Sequence, residues 1–226
     1  MIKLLSIADC ISLTNAIFGF LSIIMIFLKE TRFAFSLILL ALIADGLDGI
    51  VARKTRKGEL GEYMEAMADM ISLGVAPAFF VYFTYHEILS NNLFEQILVI
   101  SILVIYLIMS IIRLASFHII KEEKFFIGLP ASASTIFIIV TCIFKIDLTY
   151  IIILILILSF AMISPIKFPK IGLKINSLAA VLIFATIIFK DMYNNIVPLI
   201  LFIAIGLYVL FGPIYLKKTE SYVKEI

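Results

Sequence analysis

The sequence predicts an all-α integral membrane protein of about eight transmembrane helices, and three observations support this fold class. Hydrophobic residues make up 63% of the 226 residues, and charged residues make up only 15%. The mean hydropathy is +1.18. A water-soluble domain of this size has no core large enough to bury so much apolar surface. The apolar residues also fall into runs of membrane-spanning length, separated by short charged connections.

The apolar runs are each long enough to cross a bilayer as a helix, although the fifth and seventh are barely so. They lack the alternating apolar and polar pattern of membrane β-barrel strands. We therefore expect a single membrane domain over residues 1–226. The runs cover residues 12–28, 33–51, 63–85, 94–119, 130–144, 148–164, 175–189 and 196–216.

Lysine and arginine are distributed unevenly between the two sides that eight spans define. Thirteen lie at the termini and in the loops after the second, fourth and sixth runs, whereas four lie on the other side. Because positive residues concentrate in cytoplasmic loops, we predict a multi-pass cell-membrane protein with both termini in the cytoplasm. The thirteen are Lys3, Arg53, Lys54, Arg56, Lys57, Lys121, Lys124, Lys167, Lys170, Lys174, Lys217, Lys218 and Lys224, and the four are Lys29, Arg32, Lys145 and Lys190.

Four carboxylates flank the loop between the second and third runs. Asp45 and Asp48 are spaced i, i+3 near the end of one run, and Glu65 and Asp69 are spaced i, i+4 at the start of the next. On helices each pair shares a face, so an antiparallel hairpin directs the four carboxylates at one another. Unpaired they repel, and hard divalent cations with oxygen ligands are the usual means of keeping such a cluster ionised. We therefore predict a metal site on the cytoplasmic side of the membrane.

Other polar residues lie inside the apolar runs, where they are costly unless they face a protein interior or a watery cavity. Thr14 and Asn15 in the first run either support helix packing or line the site. Arg113 in the fourth run either pairs with one of the four acids or faces a cavity that receives a carboxylate or a lipid phosphate. Gly74 and Pro77 predict a kinked or loosened helix beyond Asp69.

The acidic stretch has the pattern D-x-x-D-G-x-x-A-R, seven residues, then G-x-x-x-E-x-x-x-D over residues 45–69. This pattern resembles the signature of the CDP-alcohol phosphotransferase superfamily. Glu65 stands where that family has aspartate, and the intervening run is about one residue shorter. Stretches similar to the phosphatidylserine and archaetidylserine synthases of the superfamily extend over roughly the first 135 residues. They are Thr14-Asn15 with Gly19-Phe20, residues 62–78, Arg113-Leu114-Ala115 with Phe117, and residues 126–130.

The resemblance implies an enzyme that transfers the phosphatidyl or archaetidyl group of a CDP-linked lipid to the hydroxyl of L-serine and releases CMP. It implies two divalent metal ions, Mg²⁺ or Mn²⁺, held by the signature carboxylates Asp45, Asp48, Glu65 and Asp69. Asp69 matches the family position assigned as the general base. The resemblance also implies a homodimer, a CDP-lipid donor and a cytoplasmic active site, with no role for nucleic acid.

Further signature residues have expected roles beside the nucleotide. Gly49, Ala52 and Gly61 leave backbone exposed where a nucleotide could approach closely, although small residues also serve helix packing. Arg53 is expected to fork two hydrogen bonds to phosphate oxygens. Residues expected to contact the acceptor or the lipid phosphate are Arg113, Asn15 and Thr14.

Two classes of alternative remain. Another acceptor, such as glycerol phosphate or inositol phosphate, would use the same metal site with a different pocket. A cation transporter or channel would also place acids within the membrane, but it predicts acids spread across the membrane depth. A purely structural scaffold has no need for a carboxylate cluster.

Overall fold

The computed structural model describes residues 5–54, 60–89, 92–117, 119–120, 125–190, 192 and 195–224. Within these residues, each of the eight predicted runs lies mainly in helix. Two short strands, β1 (Phe125–Ile127) and β2 (Lys167–Pro169), complete the described elements. The helices are α1 (Ile7–Phe27), α2 (Thr31–Lys54), α3 (Gly61–Asp69), a π-helix (Met70–Val75), α4 (Ala76–Thr84), α5 (His86–Leu89), α6 (Leu93–Phe117), α7 (Ala131–Ile143), α8 (Leu148–Ile163), α9 (Leu173–Phe189) and α10 (Ile196–Lys224).

Five helical stretches in the described part of the chain are long and apolar enough to cross a membrane. They cover residues 7–27, 31–51, 61–84, 93–117 and 196–217. The remaining apolar helices, α7, α8 and α9, are shorter. The mostly helical fold and these stretches fit a polytopic membrane protein, while a total of eight spans and the location of the termini stay predictions.

The first two helices form an antiparallel pair, the most extensive helix contact among the described elements. Ser6 begins α1 with a capping box, in which Ser6 Oγ accepts from the Asp9 amide and Asp9 Oδ2 accepts from the Ser6 amide. These bonds satisfy amide groups that a helix N-terminus otherwise leaves without partners. The tight connection to α2 includes Lys29 in the left-handed region, with φ of 63°. The pairing brings the start of α1 beside the end of α2.

The third apolar run is interrupted by the π-helix, as Gly74 and Pro77 predicted. The Leu73 carbonyl accepts hydrogen bonds from two side chains of neighbouring helices, Tyr106 Oη at 2.7 Å and Thr135 Oγ1 at 2.9 Å. The wider turn of a π-helix disturbs the regular backbone ladder, so its carbonyls need partners such as these. The π-helix starts directly after Asp69. Because the hydrogen bonds to its Leu73 carbonyl come from neighbouring helices, those helices hold the π-helix in place.

The core lies among α2, α4, α6, α7 and α8, with α7 the most enclosed helix. Ten of the 13 residues of α7 are buried, including Ile138 and Ile139. A helix that is apolar on all sides is expected in such a position. The outer faces of α1, α6 and α10 expose large apolar side chains such as Phe20, Ile108 and Leu210. Apolar outer faces suit a surrounding of lipid.

The two-stranded antiparallel sheet was not predicted from the sequence. It pairs Phe126 with Phe168 and fastens the segment before α7 to the segment after α8. Gly128, directly after β1, has φ of +78°. A Cβ atom at this position would lie only 2.1 Å from the Met162 carbonyl oxygen, so the close approach requires glycine. The sheet thus depends on one glycine for its junction with α8.

Candidate active site

Three carboxylates meet where the end of α2 lies beside the start of α3. Ligand oxygens of Asp45, Asp48 and Glu65 all lie within 4.8 Å of one another. Helical spacing explains the grouping, because residues at i, i+3 share a face of α2 and Glu65 lies one turn into α3. Oxygens on opposite sides of one Mg²⁺ or Ca²⁺ ion lie about 4–5 Å apart, twice the metal–oxygen distance. The donor set and its spacing therefore fit a hard divalent cation.

Asp69 lies one helical turn beyond Glu65 and beside this group of three. It is 7% exposed, and its Oδ1 accepts a 2.8 Å hydrogen bond from Nδ2 of Asn15. It also lies close enough to Asp45, Asp48 and Glu65 for their charges to interact. The set of oxygens within 4.8 Å does not include Asp69, although the sequence grouped all four acids. The structure thus forms a cluster of three carboxylates with Asp69 at its edge, where Asn15 of α1 donates to it.

Ser12 is a site residue that the sequence reasoning missed. Its hydroxyl donates a 2.6 Å hydrogen bond to Asp48 Oδ2, and both residues are buried. Asn15 lies three residues further on α1, so Ser12 and Asn15 share the helix face that meets the carboxylates. The i, i+3 spacing from Asn15 could have indicated that Ser12 faces the site. A serine within an apolar helix usually hydrogen-bonds to the backbone of its own helix, so this spacing alone did not suggest a role.

A cleft beside the three carboxylates is lined by residues of α1, α2 and α3. Gly61 borders it, and a Cβ atom there would lie 3.1 Å from Asp9 Oδ1, so a side chain would crowd the cleft. Asp9 is a fifth acid at this place, and its side chain is buried. The cleft therefore combines several acidic groups with one exposed stretch of backbone. Its lining residues are Ser6, Ala8, Asp9, Ser12, Asp48, Gly61 and Glu65.

The other predicted nucleotide and acceptor residues are distributed as follows. Gly49 is half-buried in α2 next to Asp48. The side chains of Ala52 and Arg53 lie outside the described part of the chain. Thr14 is exposed, and its hydroxyl donates to the Cys10 carbonyl at 2.9 Å. One residue of α-helix turns the side chain by about 100°, so Thr14 lies on a different face from Asn15 and away from the carboxylates.

Arg113 lies in a second pocket, which shares no lining residue with the acidic cleft. It is 6% exposed, and its Nε donates a 3.1 Å hydrogen bond to the Leu129 carbonyl. Its guanidinium carbon lies 5.4 Å from the centroid of the Phe117 ring. The structure therefore does not bring Arg113 into the cleft of the signature acids. The pocket is lined by Arg113, Ser116, Phe117, Ile120, Phe125, Phe126, Ile127 and Lys170.

A mainly helical membrane fold that gathers carboxylates where two helices meet, beside a third supporting helix, indicates a functional site. The family model for CDP-alcohol phosphatidyltransferases matches residues 5–210. The chain therefore belongs to the CDP-alcohol phosphatidyltransferase family and is a transferase. The match extends well beyond residue 135, where the resemblance noted in the sequence ends.

Three proteins that are similar in sequence to this chain serve as examples of its relatives. The chain is 36% identical over 171 residues to a CDP-diacylglycerol–serine O-phosphatidyltransferase of Methanocaldococcus jannaschii, covering 74% of this chain and 76% of that protein. It is 33% identical over 136 residues to an archaetidylserine synthase of Methanothermobacter thermautotrophicus, covering 58% and 55%. It is 30% identical over 196 residues to a CDP-diacylglycerol–serine O-phosphatidyltransferase of Helicobacter pylori, covering 78% and 76%.

Proposed function

We propose that this protein transfers the phosphatidyl or archaetidyl group of a CDP-linked lipid to the hydroxyl of L-serine and releases CMP. The observation that carries the proposal is the meeting of Asp45, Asp48 and Glu65 within 4.8 Å at the family signature. The names of the relatives support serine as the acceptor, and they include a CDP-diacylglycerol donor in one case and an archaetidylserine product in another. The reaction belongs to phospholipid biosynthesis.

The three clustered carboxylates are the proposed first ligands of two divalent ions, Mg²⁺ or Mn²⁺, with Asp69 as a further ligand at the edge of the group. Bound there, such ions neutralise the charge of the two linked phosphates, which otherwise repels an incoming nucleophile. Glu65 is one methylene longer than the aspartate of the family. The chain thus supplies the oxygen ligands that hard cations prefer.

Asp69 is the proposed general base, because it lies beside the clustered acids and is held by Asn15. It accepts the proton of the serine hydroxyl as that oxygen forms a bond to the lipid-side phosphorus. The bond between this phosphorus and the bridging oxygen breaks, and the electron pair leaves with CMP. An alcohol needs such a base because it is a weak nucleophile at neutral pH.

The remaining proposed contacts divide between the two pockets. Gly49 and Gly61 leave room for a nucleotide at the acidic cleft. On the signature alone, Ala52 is proposed as a further nucleotide position and Arg53 as a ligand of a phosphate oxygen. Arg113 belongs to the other pocket, where Lys170 is a second lining cation. Two cations beside half-buried aromatic rings suit an anionic group, so we assign this pocket to the serine carboxylate in preference to the lipid phosphate.

The proposed setting is a single multi-pass domain in the cell membrane, with the acidic cleft and both termini facing the cytoplasm. The charge asymmetry of the loops supports this orientation. We also propose a homodimer, on the basis of the family. Chemical crosslinking and the mass of the detergent-solubilised protein test the dimer, and a purely monomeric mass contradicts it.

The test of function is an assay of the purified protein in detergent with CDP-lipid and labelled serine, with and without Mg²⁺ or Mn²⁺. We expect a labelled lipid product and release of CMP, both abolished by EDTA and restored by added metal. Parallel reactions replace serine with glycerol phosphate or inositol phosphate. If one of these alcohols gives product and serine gives none, the assignment of serine as the acceptor is wrong, while the enzyme class is unchanged.

A cation transporter predicts a different result in the same preparation. Vesicles that contain the protein would then carry a metal-dependent ion flux without any CMP release. The described signature acids lie together near the junction of α2 and α3, whereas an ion path requires acids along the membrane depth. Flux without transfer would therefore overturn the proposed function.

A further inference from the structure

The inner face of α1 contacts two of the four signature acids, although α1 lies outside the signature. Ser12 donates to Asp48, and Asn15 donates to Asp69. We propose that Ser12 and Asn15 are positioning residues, which orient a metal-ligand carboxylate and the general base respectively. This inference rests on the proposed function for its catalytic part. Its metal-binding part stands on the carboxylate cluster alone.

The choice of partner made by Ser12 is the first argument. Buried serines in apolar helices ordinarily donate to a carbonyl of their own helix. Ser22 on the same helix does so, donating to the Gly19 carbonyl at 2.6 Å. Ser12 makes only a long hydrogen bond of 3.3 Å to the Ala8 carbonyl, whereas its bond to Asp48 Oδ2 is 2.6 Å, a distance typical of a hydroxyl bound to a carboxylate. The Ser12 hydroxyl therefore serves the acid in preference to the helix.

Asn15 provides a second, independent argument. It is fully buried, and its Nδ2 donates to Asp69 while its Oδ1 has no hydrogen-bond partner among the described residues. A buried carbonyl without a partner destabilises a fold, and an apolar residue of similar size would avoid that cost. Packing alone therefore does not account for an amide at this position. The donation to Asp69 does account for it.

The position of α1 gives these bonds little freedom to shift. At Gly19, α1 crosses the π-helix so closely that a Cβ atom on residue 19 would lie 2.8 Å from the Cα atom of Ser72. The crossing fixes α1 against the helix that carries Asp69, and Ser12 and Asn15 lie on the same face one turn apart. A carboxylate with one oxygen held loses rotational freedom, and loss of such a supporting bond typically costs about 10–100-fold in metal affinity or activity.

The role of Ser12 is tested by direct binding of Mn²⁺ to the purified protein in the absence of any substrate. Electron paramagnetic resonance measures the binding. We expect Ser12→Ala to weaken Mn²⁺ binding by about tenfold or more, and Ser12→Thr to restore much of it by returning a hydroxyl. The matched control is Ser22→Ala, a buried serine of the same helix whose hydroxyl bonds a backbone carbonyl, and its affinity should equal that of the wild type. Equal affinities for Ser12→Ala and wild type overturn the role of Ser12.

The Asn15 arm is tested with Asn15→Leu in the serine transfer assay. We expect kcat to fall about tenfold or more, with the KM values for serine and CDP-lipid within about twofold of wild type. Mn²⁺ binding no weaker than that of Asp69→Asn checks that the three clustered carboxylates are intact, because Asp69 is itself a proposed ligand. Retained kcat with a lowered melting temperature shows a purely structural role and overturns the proposal. If Asn15→Leu does not fold, Asn15→Ala is judged by the same criteria.

The two arms separate this inference from the proposed function. Mn²⁺ binding needs neither serine nor CDP-lipid, so weaker binding by Ser12→Ala supports the positioning role even if the wild-type protein does not use serine. Conversely, active wild-type protein with unchanged Mn²⁺ binding in Ser12→Ala and unchanged kcat in Asn15→Leu keeps the function and overturns the inference.

Discussion

The Nε atom of Arg113 donates a 3.1 Å hydrogen bond to the carbonyl of Leu129, which follows β1 and precedes α7. The bond ties the end of α6 to the segment that the small sheet supports. Nε is only one of the three guanidinium nitrogens, so the anchoring bond does not use the terminal pair that grips an anion in a fork. Arg113 is thus an anchored cation within a pocket, and a lysine could not reproduce both contacts.

Arg113→Lys should raise the KM for serine by about tenfold, because it keeps the charge but loses the fork, and it should change kcat little. Steady-state kinetics with both substrates measure the effect. Arg32→Lys, on the far side of the predicted membrane, is the control and should behave as wild type. Weaker binding of CDP-lipid alone would instead assign Arg113 to the lipid phosphate.

Asp69→Asn should lower kcat by about 10²–10⁴-fold with little change in the KM for serine, since it removes the proton acceptor and keeps the shape. Measurement of kcat and KM across serine concentrations tests this. Asparagine retains an oxygen that can accept from Asn15, so the fold should persist. A variant with normal turnover would remove Asp69 from the mechanism.

Asp48→Asn should abolish transfer while leaving a folded protein, because loss of one carboxylate weakens the proposed metal site. The acids repel one another when no metal is bound, so the melting temperature in EDTA should stay equal or rise. Asp147→Asn is the matched control. Asp147 caps α8 by accepting from the Thr149 amide, and asparagine caps equally well, so activity should be unchanged. Normal turnover in Asp48→Asn would refute its role as a ligand.

Gly128→Ala should destabilise the protein by at least about 2 kcal/mol, because its φ of +78° and the nearby Met162 carbonyl leave no place for a Cβ atom. Thermal unfolding in detergent measures the change. Gly46→Ala is the control, since a Cβ atom there meets nothing within 4 Å inside a helix. Its melting temperature should be equal or higher, and equal losses in the two variants would contradict this account of Gly128.

The predicted orientation is tested in a background without the native Cys10 and Cys142. Arg56→Cys should be protected from a membrane-impermeant maleimide in intact cells, whereas Lys29→Cys should react, because positive loops face the cytoplasm. Permeabilised cells should label both positions. Labelling of Arg56→Cys in intact cells would invert the topology and place the signature loop outside.

The helices and the carboxylate cluster could be predicted because they follow from short-range spacing. Apolar run lengths mark the helices, and the i, i+3 spacing of Asp45 and Asp48 puts both on one face. The role of Ser12 was not predicted, because its spacing from Asn15 does not show which helix lies opposite. The three-residue strands β1 and β2 are too short to carry a pattern, and the pocket of Arg113 depends on their pairing.

The π-helix also affects how this chain is compared with its relatives. Its hydrogen bonds run from i to i+5, so its turn holds one residue more than an α-helical turn. If the same residues between Met70 and Val75 wound as an α-helix without the loss of one residue, α3 would rotate against α4 by about 100°. Either the acids of α3 or the apolar face of α4 would then turn away from its neighbours. A related chain with an unbroken α-helix here is therefore expected to be one residue shorter between the positions of Asp69 and Pro77. A gap of one residue in an alignment of this segment would mark a change from π-helix to α-helix.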